Sequence, residues 1–311
     1  MTPGPILVYH AEEADEYTRS VRAPRRIAVH ACATREEAAR FIRDAAILYA
    51  WRFPPDLLAK ASRLRWVQAM GAGVERFLVP ELADEVVLTR APVFGTWMVE
   101  YVFGWCAWVA QKVETYRAAQ RDRRWIGTAP DRLRGKTLTI VGLGEIGGSL
   151  ARAAKSFGMR TLGVSRTGRR VPHVHRVYPV RALRRGLAQA DFAVLAVPLT
   201  PETRGLIGRP ELAAMRPHAW LLNIARGPVV DEGALVDALR ERRIAGGVLD
   251  VFDTEPLPPE HPLWGLPNVV VTPHISGPSA PAEITPIFNE NLKRYLAGRR
   301  LHHVVDRRRG Y

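Results

Sequence analysis

Residues Thr137-Leu-Thr-Ile-Val-Gly-Leu-Gly-Glu-Ile-Gly147 constrain this chain more than any other stretch. A short β-branched strand runs straight into Gly142-x-Gly144-x-x-Gly147, and an alanine-rich helix follows. In that setting Gly142 makes the tight turn, Gly144 lets backbone approach a pyrophosphate, and Gly147 lets the helix pack on the strand. The amides around Glu145, Ile146 and Gly147 open the helix and face the diphosphate charge. A glycine-rich turn without a ligand is the bland alternative. It explains neither the strand before the motif nor the helix after it.

A length of 311 residues allows two domains, each with its own core. With 47% apolar and 24% charged residues, the composition is that of a folded globular protein. No run approaches the roughly 20 apolar residues that cross a bilayer, so no membrane partner is expected. The opening Met1-Thr-Pro-Gly-Pro lacks the marks of a secretory signal. Cys32 and Cys106 show no metal spacing and are too few for a disulfide scaffold, so no metal and a cytoplasmic location are expected. The net charge of +14 raises the question of a nucleic-acid partner. Arginine outnumbers lysine by about eight to one, however, and the basic residues are dispersed. Of the denser runs, only Arg166 to Arg170 stands where a ligand phosphate is expected, and no nucleic acid is predicted to bind.

The chain alternates strand and helix patterns throughout. Ile6–Tyr9, Ile27–His30, Ile47–Ala50, Leu64–Gln68 and Val86–Thr89 read as strands of a small parallel sheet. Thr34 and Glu37 form a capping box ahead of a helical apolar pattern. A single long helix is predicted from Thr96 to about Ala119, its apolar surface wider than one stripe. A second sheet begins at Thr137 and continues through Leu162–Val164, Phe192–Val197, Trp220–Asn223, Ala245–Asp250 and Val269–Val271. The strand Phe192–Val197 is almost wholly apolar, as a central parallel strand is. Beyond His274 one more helical pattern remains, too little for a domain. The fold expected is α/β, with two Rossmann-like or flavodoxin-like domains built on parallel sheets. A contiguous dinucleotide-binding domain (residues 97–276) is inserted into a discontinuous substrate domain (residues 1–96 and 277–311).

About twenty residues beyond the glycines, a dinucleotide fold normally places an acid that holds the adenosine ribose. Here Ser165 takes that place, followed by Arg166, Thr167 and Arg169, and the window contains no acid. A carboxylate repels a 2′-phosphate, whereas a hydroxyl beside guanidinium groups receives one through charge-assisted bonds. The expected cofactor is therefore NADP, with NADPH preferred over NADH.

Three late segments each put a chemically versatile side chain just after a strand. They are Leu222-Asn-Ile-Ala-Arg-Gly227, Gly247-Val-Leu-Asp-Val-Phe-Asp-Thr-Glu-Pro256 and Asn268-Val-Val-Val-Thr-Pro-His-Ile-Ser-Gly277. Together with the glycine motif they resemble, over nearly the full length, the D-isomer-specific 2-hydroxyacid dehydrogenase family. The chain looks most like its bacterial glyoxylate/hydroxypyruvate reductase branch. The resemblance implies that Arg226 holds the substrate carboxylate, that His274 is the catalytic histidine and that Glu255 is its acidic partner. It places Val197, Pro198, Thr203, Ala225, Arg226, Asp250 and His274 along the cofactor. It also implies that Met70, Gly71, Ala72 and Gly73 bind substrate together with Arg226 and His274, and that the protein is a homodimer. Trp51, Trp97 and Trp125 are candidates to shape the pocket, with ordinary packing an equal alternative; Trp125 is also a candidate dimer contact.

The chemistry accounts for these residue types on its own terms. Reducing a 2-oxo acid requires hydride at the carbonyl carbon and a proton at its oxygen. An imidazolium at His274 supplies the proton and steadies the developing alkoxide. A carboxylate at Glu255 orients the ring and favours its protonated form. Arg226 offers a planar donor fork to a small 2-oxo or 2-hydroxy acid. The competing reading is a dinucleotide-sensing interaction protein of the corepressor type, whose relatives keep the same three residues. Turnover across a panel of 2-oxo acids separates the two.

Overall fold

Two parallel sheets, one in each of two units, organise the chain. The computed structural model describes residues 4–311; Met1, Thr2 and Pro3, part of the opening segment read above for a signal, lie outside the described residues. One unit comprises the described residues up to Val93 together with Ser279–Tyr311, and the other comprises Phe94–Pro278.

The first unit runs β1 (Ile6–Tyr9), α1 (Ala14–Ser20), β2 (Val29–Cys32), α2 (Arg35–Phe41), β3 (Ile47–Ala50), α3 (Pro55–Leu58), β4 (Trp66–Ala69) and β5 (Val87–Thr89). Its strands lie in the order β2-β1-β3-β4-β5, every named pair parallel. Side chains alternate across a strand, so each segment feeds two faces. Leu7, Leu48, Val67 and Leu88 pack with Ala38, Ile42, Leu57 and Leu58 of the α2–α3 side. The predicted capping box is present: Thr34 Oγ1 accepts the Glu37 N–H, and Glu37 returns the bond to the Thr34 N–H. Strand β2 begins two residues later than its sequence suggests. The Ile27 N–H instead closes a turn onto the Pro24 carbonyl.

The second unit opens with α4 (Gly95–Ala110) and α5 (Val113–Arg121), then runs β6 (Thr137–Val141), α6 (Glu145–Ser156), β7 (Arg160–Ser165), β8 (Arg176–Pro179), α7 (Leu183–Leu187), β9 (Phe192–Leu195), α8 (Arg209–Ala214), β10 (Trp220–Asn223), α9 (Glu232–Arg240), β11 (Gly246–Leu249) and β12 (Val269–Val271). The strand order is β12-β11-β10-β9-β6-β7-β8, again parallel. Phe192 and Val194 of β9 face one layer, with Val102, Phe103, Cys106 and Leu150 of α4 and α6. Ala193 and Leu195 face the other, with Leu187, Leu212, Leu235 and Leu239 of α7, α8 and α9. Both faces of the central strands are covered, which is why those strands read as continuous apolar runs.

The single long helix expected from Thr96 to about Ala119 is in fact two helices. Lys112 adopts a left-handed backbone with φ 53° and ends the first. The segment after α5 stabilises the break. The Asp131 N–H donates to the Ala110 carbonyl at 2.8 Å, and Lys112 Nζ donates to the Ala129 carbonyl at 2.8 Å. Edge strand β8 is not apparent in the sequence, because only Tyr178 of its four residues is buried.

The last helix, α10 (Pro281–Leu296), belongs to the first unit. Phe288 stacks between Tyr49 and Trp66 with centroids at 4.3 and 5.1 Å. Fully buried Asn291 donates to Gln68 Oε1 and to the His302 carbonyl, and its own oxygen accepts the His302 N–H. Asn291→Leu strands those partners without water, and is expected to destabilise the fold by about 2–4 kcal/mol. Urea unfolding followed by far-UV circular dichroism checks it; a loss below about 1 kcal/mol contradicts the assignment.

Candidate active site

The glycine loop has the shape its sequence predicts. Gly142 sits at φ 100°, and a Cβ there would lie 2.4 Å from the Ala196 carbonyl oxygen. A Cβ on Gly147 would lie 2.0 Å from the Gly142 carbonyl oxygen, so the helix starts hard against the turn. In front of Gly144 there is open space: a Cβ there meets nothing within 4 Å. The first backbone bond of α6 runs from the Gly148 N–H to the Gly144 carbonyl at 2.8 Å. The amides before it, at Glu145, Ile146 and Gly147, are those a helix start leaves to an anion. Room on one side and donors on the other fit a dinucleotide diphosphate.

Ser165 ends β7, half-buried, and its Oγ accepts the Gly168 N–H at 3.1 Å, which leaves its O–H to donate. Arg166, Thr167 and Arg169 are exposed around this turn. Val197 and Pro198 follow β9 beside the glycine loop, and Thr203 Oγ1 closes their loop by donating to the Pro198 carbonyl at 2.6 Å. On that loop the Glu202 carboxyl is held below the usual carboxylate range, chiefly by the Thr200 hydroxyl, with the positive charge of Arg166 adding to the effect. The 2′-phosphate residues predicted from sequence thus form a basic, donor-rich turn.

Arg226, Glu255 and His274 come together at the ends of β10, β11 and β12. Glu255 uses both carboxylate oxygens: Oε1 accepts the Phe252 N–H at 3.1 Å, and Oε2 lies 2.9 Å from His274 Nδ1. Burial pushes the Glu255 carboxyl up. The His274 bond and charge, the Phe252 N–H and the Arg226 charge outweigh it and hold the group below its ordinary value. An ionised carboxylate only accepts, so the His274 Nδ1 is the donor and Nε2 faces away from the pair. Arg226 is half-buried and directs Nη1 to the Ala225 carbonyl at 2.7 Å.

Two sets of contacts hold the Glu255 loop in place. A Cβ on Gly227 would sit 2.0 Å from the Phe252 carbonyl carbon, so only glycine lets the Arg226 loop touch the Glu255 loop. Glu232, in the first turn of α9, accepts the Asp253 N–H at 3.2 Å and pairs with His261 at 3.1 Å. It thereby ties down both flanks of Glu255.

Asp250 does a job the sequence does not announce. Its carboxylate is fully buried and accepts the Thr272 O–H at 2.6 Å, the Ile275 N–H at 2.9 Å and the Ser276 N–H at 2.9 Å. Its carbonyl accepts the His274 N–H at 2.9 Å. These bonds fix a turn in which His274 has φ 55°, a left-handed backbone that costs a non-glycine residue about 1–3 kcal/mol. Sequence reasoning also missed Asn223, buried at the end of β10, which accepts the Ala225 N–H and donates to the Arg226 carbonyl. An asparagine closing an apolar strand was the available signal.

In the first unit, Met70, Gly71, Ala72 and Gly73 follow β4, and the ring of Trp51 lies against Gly71 so closely that a Cβ would meet it at 2.3 Å. Trp97 is partly exposed on α4, and Trp125 is fully exposed. Among the described residues there is no cluster of three or more His, Cys, Asp or Glu placed to hold a metal, and no helix long and apolar enough to cross a membrane.

Residues 104–276 match the family described as "D-isomer specific 2-hydroxyacid dehydrogenase, NAD binding domain". A glyoxylate reductase of Aeropyrum pernix is 36% identical over 290 residues, 85% of this chain and 84% of its own length. A D-isomer specific 2-hydroxyacid dehydrogenase of Xanthobacter autotrophicus Py2, solved with NADPH and MES, superposes with a TM-score of 0.90 at 32% identity over all of both chains. An NADPH-dependent glyoxylate/hydroxypyruvate reductase of Sinorhizobium meliloti, solved with NADP and sulfate, gives 0.90 at 29% identity over 99% of both. The chain therefore belongs to the D-isomer-specific 2-hydroxyacid dehydrogenases, in the glyoxylate/hydroxypyruvate reductase branch, and is an NAD(P)-dependent oxidoreductase.

Proposed function

We propose that this protein reduces small 2-oxo acids, glyoxylate and hydroxypyruvate first among them, to D-2-hydroxy acids with NADPH. The observation that carries the reading is the 2.9 Å contact of His274 Nδ1 with Glu255 Oε2 beside Arg226. The nicotinamide, when bound, supplies the hydride. With Nδ1–H held by Glu255, a protonated ring carries its transferable proton on Nε2, where it passes to the substrate oxygen. The same N–H stabilises negative charge building on that oxygen. Arg226 fixes the substrate carboxylate through its donor fork and, by its charge, keeps Glu255 ionised.

Preference for NADPH is supported by the Ser165 turn, and by the NADPH and NADP carried by the two similar solved proteins. With NADPH bound, Ser165 would donate a hydrogen bond from its O–H, and Arg166 and Arg169 from their guanidinium N–H groups, to the 2′-phosphate. The same reading carries a homodimer, which a fully exposed Trp125 supports.

His274→Ala is expected to lower kcat by about 10²–10⁴ while the NADPH dissociation constant stays near that of the wild type. Stopped-flow turnover of glyoxylate, with a fluorescence titration of NADPH, measures both. Near-normal turnover in the folded variant places the proton donor elsewhere.

Arg166→Ala is expected to cut kcat/KM for NADPH by about ten- to a hundredfold and to leave the NADH value nearly unchanged. Equal use of the two cofactors by the wild type would sink the preference without touching the fold.

Glu255 sets an acid-side dependence of stability. Its folded pKa is depressed below the ordinary 4.5, so its pairing stabilises the fold above that value, and the contribution is lost as pH falls below it. Glu255→Gln lacks this contribution. Its melting temperature should fall less steeply than that of the wild type as pH drops from neutral through the carboxylate range, which differential scanning fluorimetry reads; parallel curves refute the coupling.

A further inference from the structure

We propose that Tyr101 and Thr272 are positioning residues for the proton donor, locking the His274 turn to helix α4 through the buried Asp250 carboxylate; the proposal rests on the reductase reading above. The direction of each bond follows from the atoms. A carboxylate has no proton to give, so the Thr272 O–H points at Asp250 Oδ1, 2.6 Å away. That leaves the Thr272 oxygen as acceptor for the Tyr101 O–H, also at 2.6 Å. A one-way chain results, Tyr101 to Thr272 to Asp250, and Asp250 in turn holds the backbone N–H groups of Ile275 and Ser276 and, through its carbonyl, that of His274.

Each link restrains a different part of the turn. Thr272 precedes Pro273, which confines its backbone to extended conformations. His274 then reverses to φ 55°, and the two N–H groups after it end on one carboxylate. Backbone bonds from Thr272 to the Leu249 carbonyl and from His274 to the Asp250 carbonyl tie the turn to β11, and a side-chain tie to a second element, α4, limits its tilt. That tie is Tyr101, on a 16-residue helix whose Val102, Phe103 and Cys106 are packed into the layer that also buries Phe192 and Val194 of β9. Burial pushes the Tyr101 phenol above its ordinary range; the Thr272 bond opposes this, and the Asp250 charge adds to it, so the group remains an O–H donor. A polar chain that merely satisfied buried groups would cost stability when cut but spare the chemistry of the molecules that stay folded. A chain that aims the imidazole changes turnover in the folded enzyme.

The test uses full-length Tyr101→Phe, Thr272→Val and Thr272→Ser proteins. With NADPH and glyoxylate, Tyr101→Phe is expected to lower kcat about three- to tenfold, with KM for glyoxylate and the NADPH dissociation constant within about twofold of wild type. Thr272→Val loses both ends of the chain and should fall further. Thr272→Ser keeps the hydroxyl and should restore kcat to within about twofold. A second readout needs no cofactor: nitrogen-15 NMR of labelled histidines, with the His274 ring signals assigned by their loss in His274→Gln. The wild-type ring should show one form, protonated at Nδ1. Tyr101→Phe and Thr272→Val should shift or broaden those signals, and Thr272→Ser should return them. The proposal is overturned if kcat stays within about twofold in the folded Phe and Val variants, if the His274 signals do not move, or if serine fails to rescue. Should the wild type reduce no 2-oxo acid at all, the substrate reading falls, and the spectra alone still decide whether Tyr101 positions the ring.

Discussion

A carboxylate taken out of water must be matched by donors, and in this protein that requirement shapes the chemistry. Asp250 has no exposure, and hydroxyl and backbone N–H groups surround it. An unpaired buried charge costs several kcal/mol, so the residues from Thr272 to Ser276 have little choice of conformation. The left-handed backbone at His274 is a consequence of that match. Strain at one residue is offset by a set of charge-assisted bonds at its neighbours. The imidazole is thus aimed by a group whose own charge is fully occupied elsewhere.

Electrostatics divide the nucleotide unit by function. Near the glycine loop the backbone supplies partial positive charge, and beyond β7 the exposed guanidinium groups extend it. At the ends of β10 to β12 the Glu255 carboxyl is held below its ordinary value by its bond to His274 and by the nearby Arg226 charge. One region suits a ligand of fixed negative charge, and the other suits a reaction in which charge moves.

Much of this was legible in the residues, because spacing carries it. The glycine loop and the central strands are set by local pattern; Arg226, Glu255 and His274 stand out through the family resemblance of three separate segments, and the structure puts His274 against Glu255 with Arg226 close by. Where reading failed, the cause was non-local. Nothing near Lys112 marks a helix end; the partners that make it one lie at Ala129 and Asp131. Strand β8 exists because β7 offers it an edge, not because its own residues are apolar. Asp250 has a second role that its own segment does not show: its bonds to Thr272, Ile275 and Ser276 hold a turn more than twenty residues away. Asn223 was passed over because a strand-end asparagine looks like an ordinary stop signal.

The placement of α10 gives the chain an unusual timetable during synthesis. The first sheet leaves the ribosome early, but the face bearing Tyr49 and Trp66 lacks Phe288, and Gln68 lacks Asn291, until the last helix has been made. The second unit is one uninterrupted stretch and has all its core residues in hand before that. Domains made of contiguous sequence fold as units while the rest is still being translated. The sheet begun before the second unit is therefore completed only after it, and for that interval its aromatic face has Tyr17 of α1 against Tyr49 but lacks the stacking ring of Phe288.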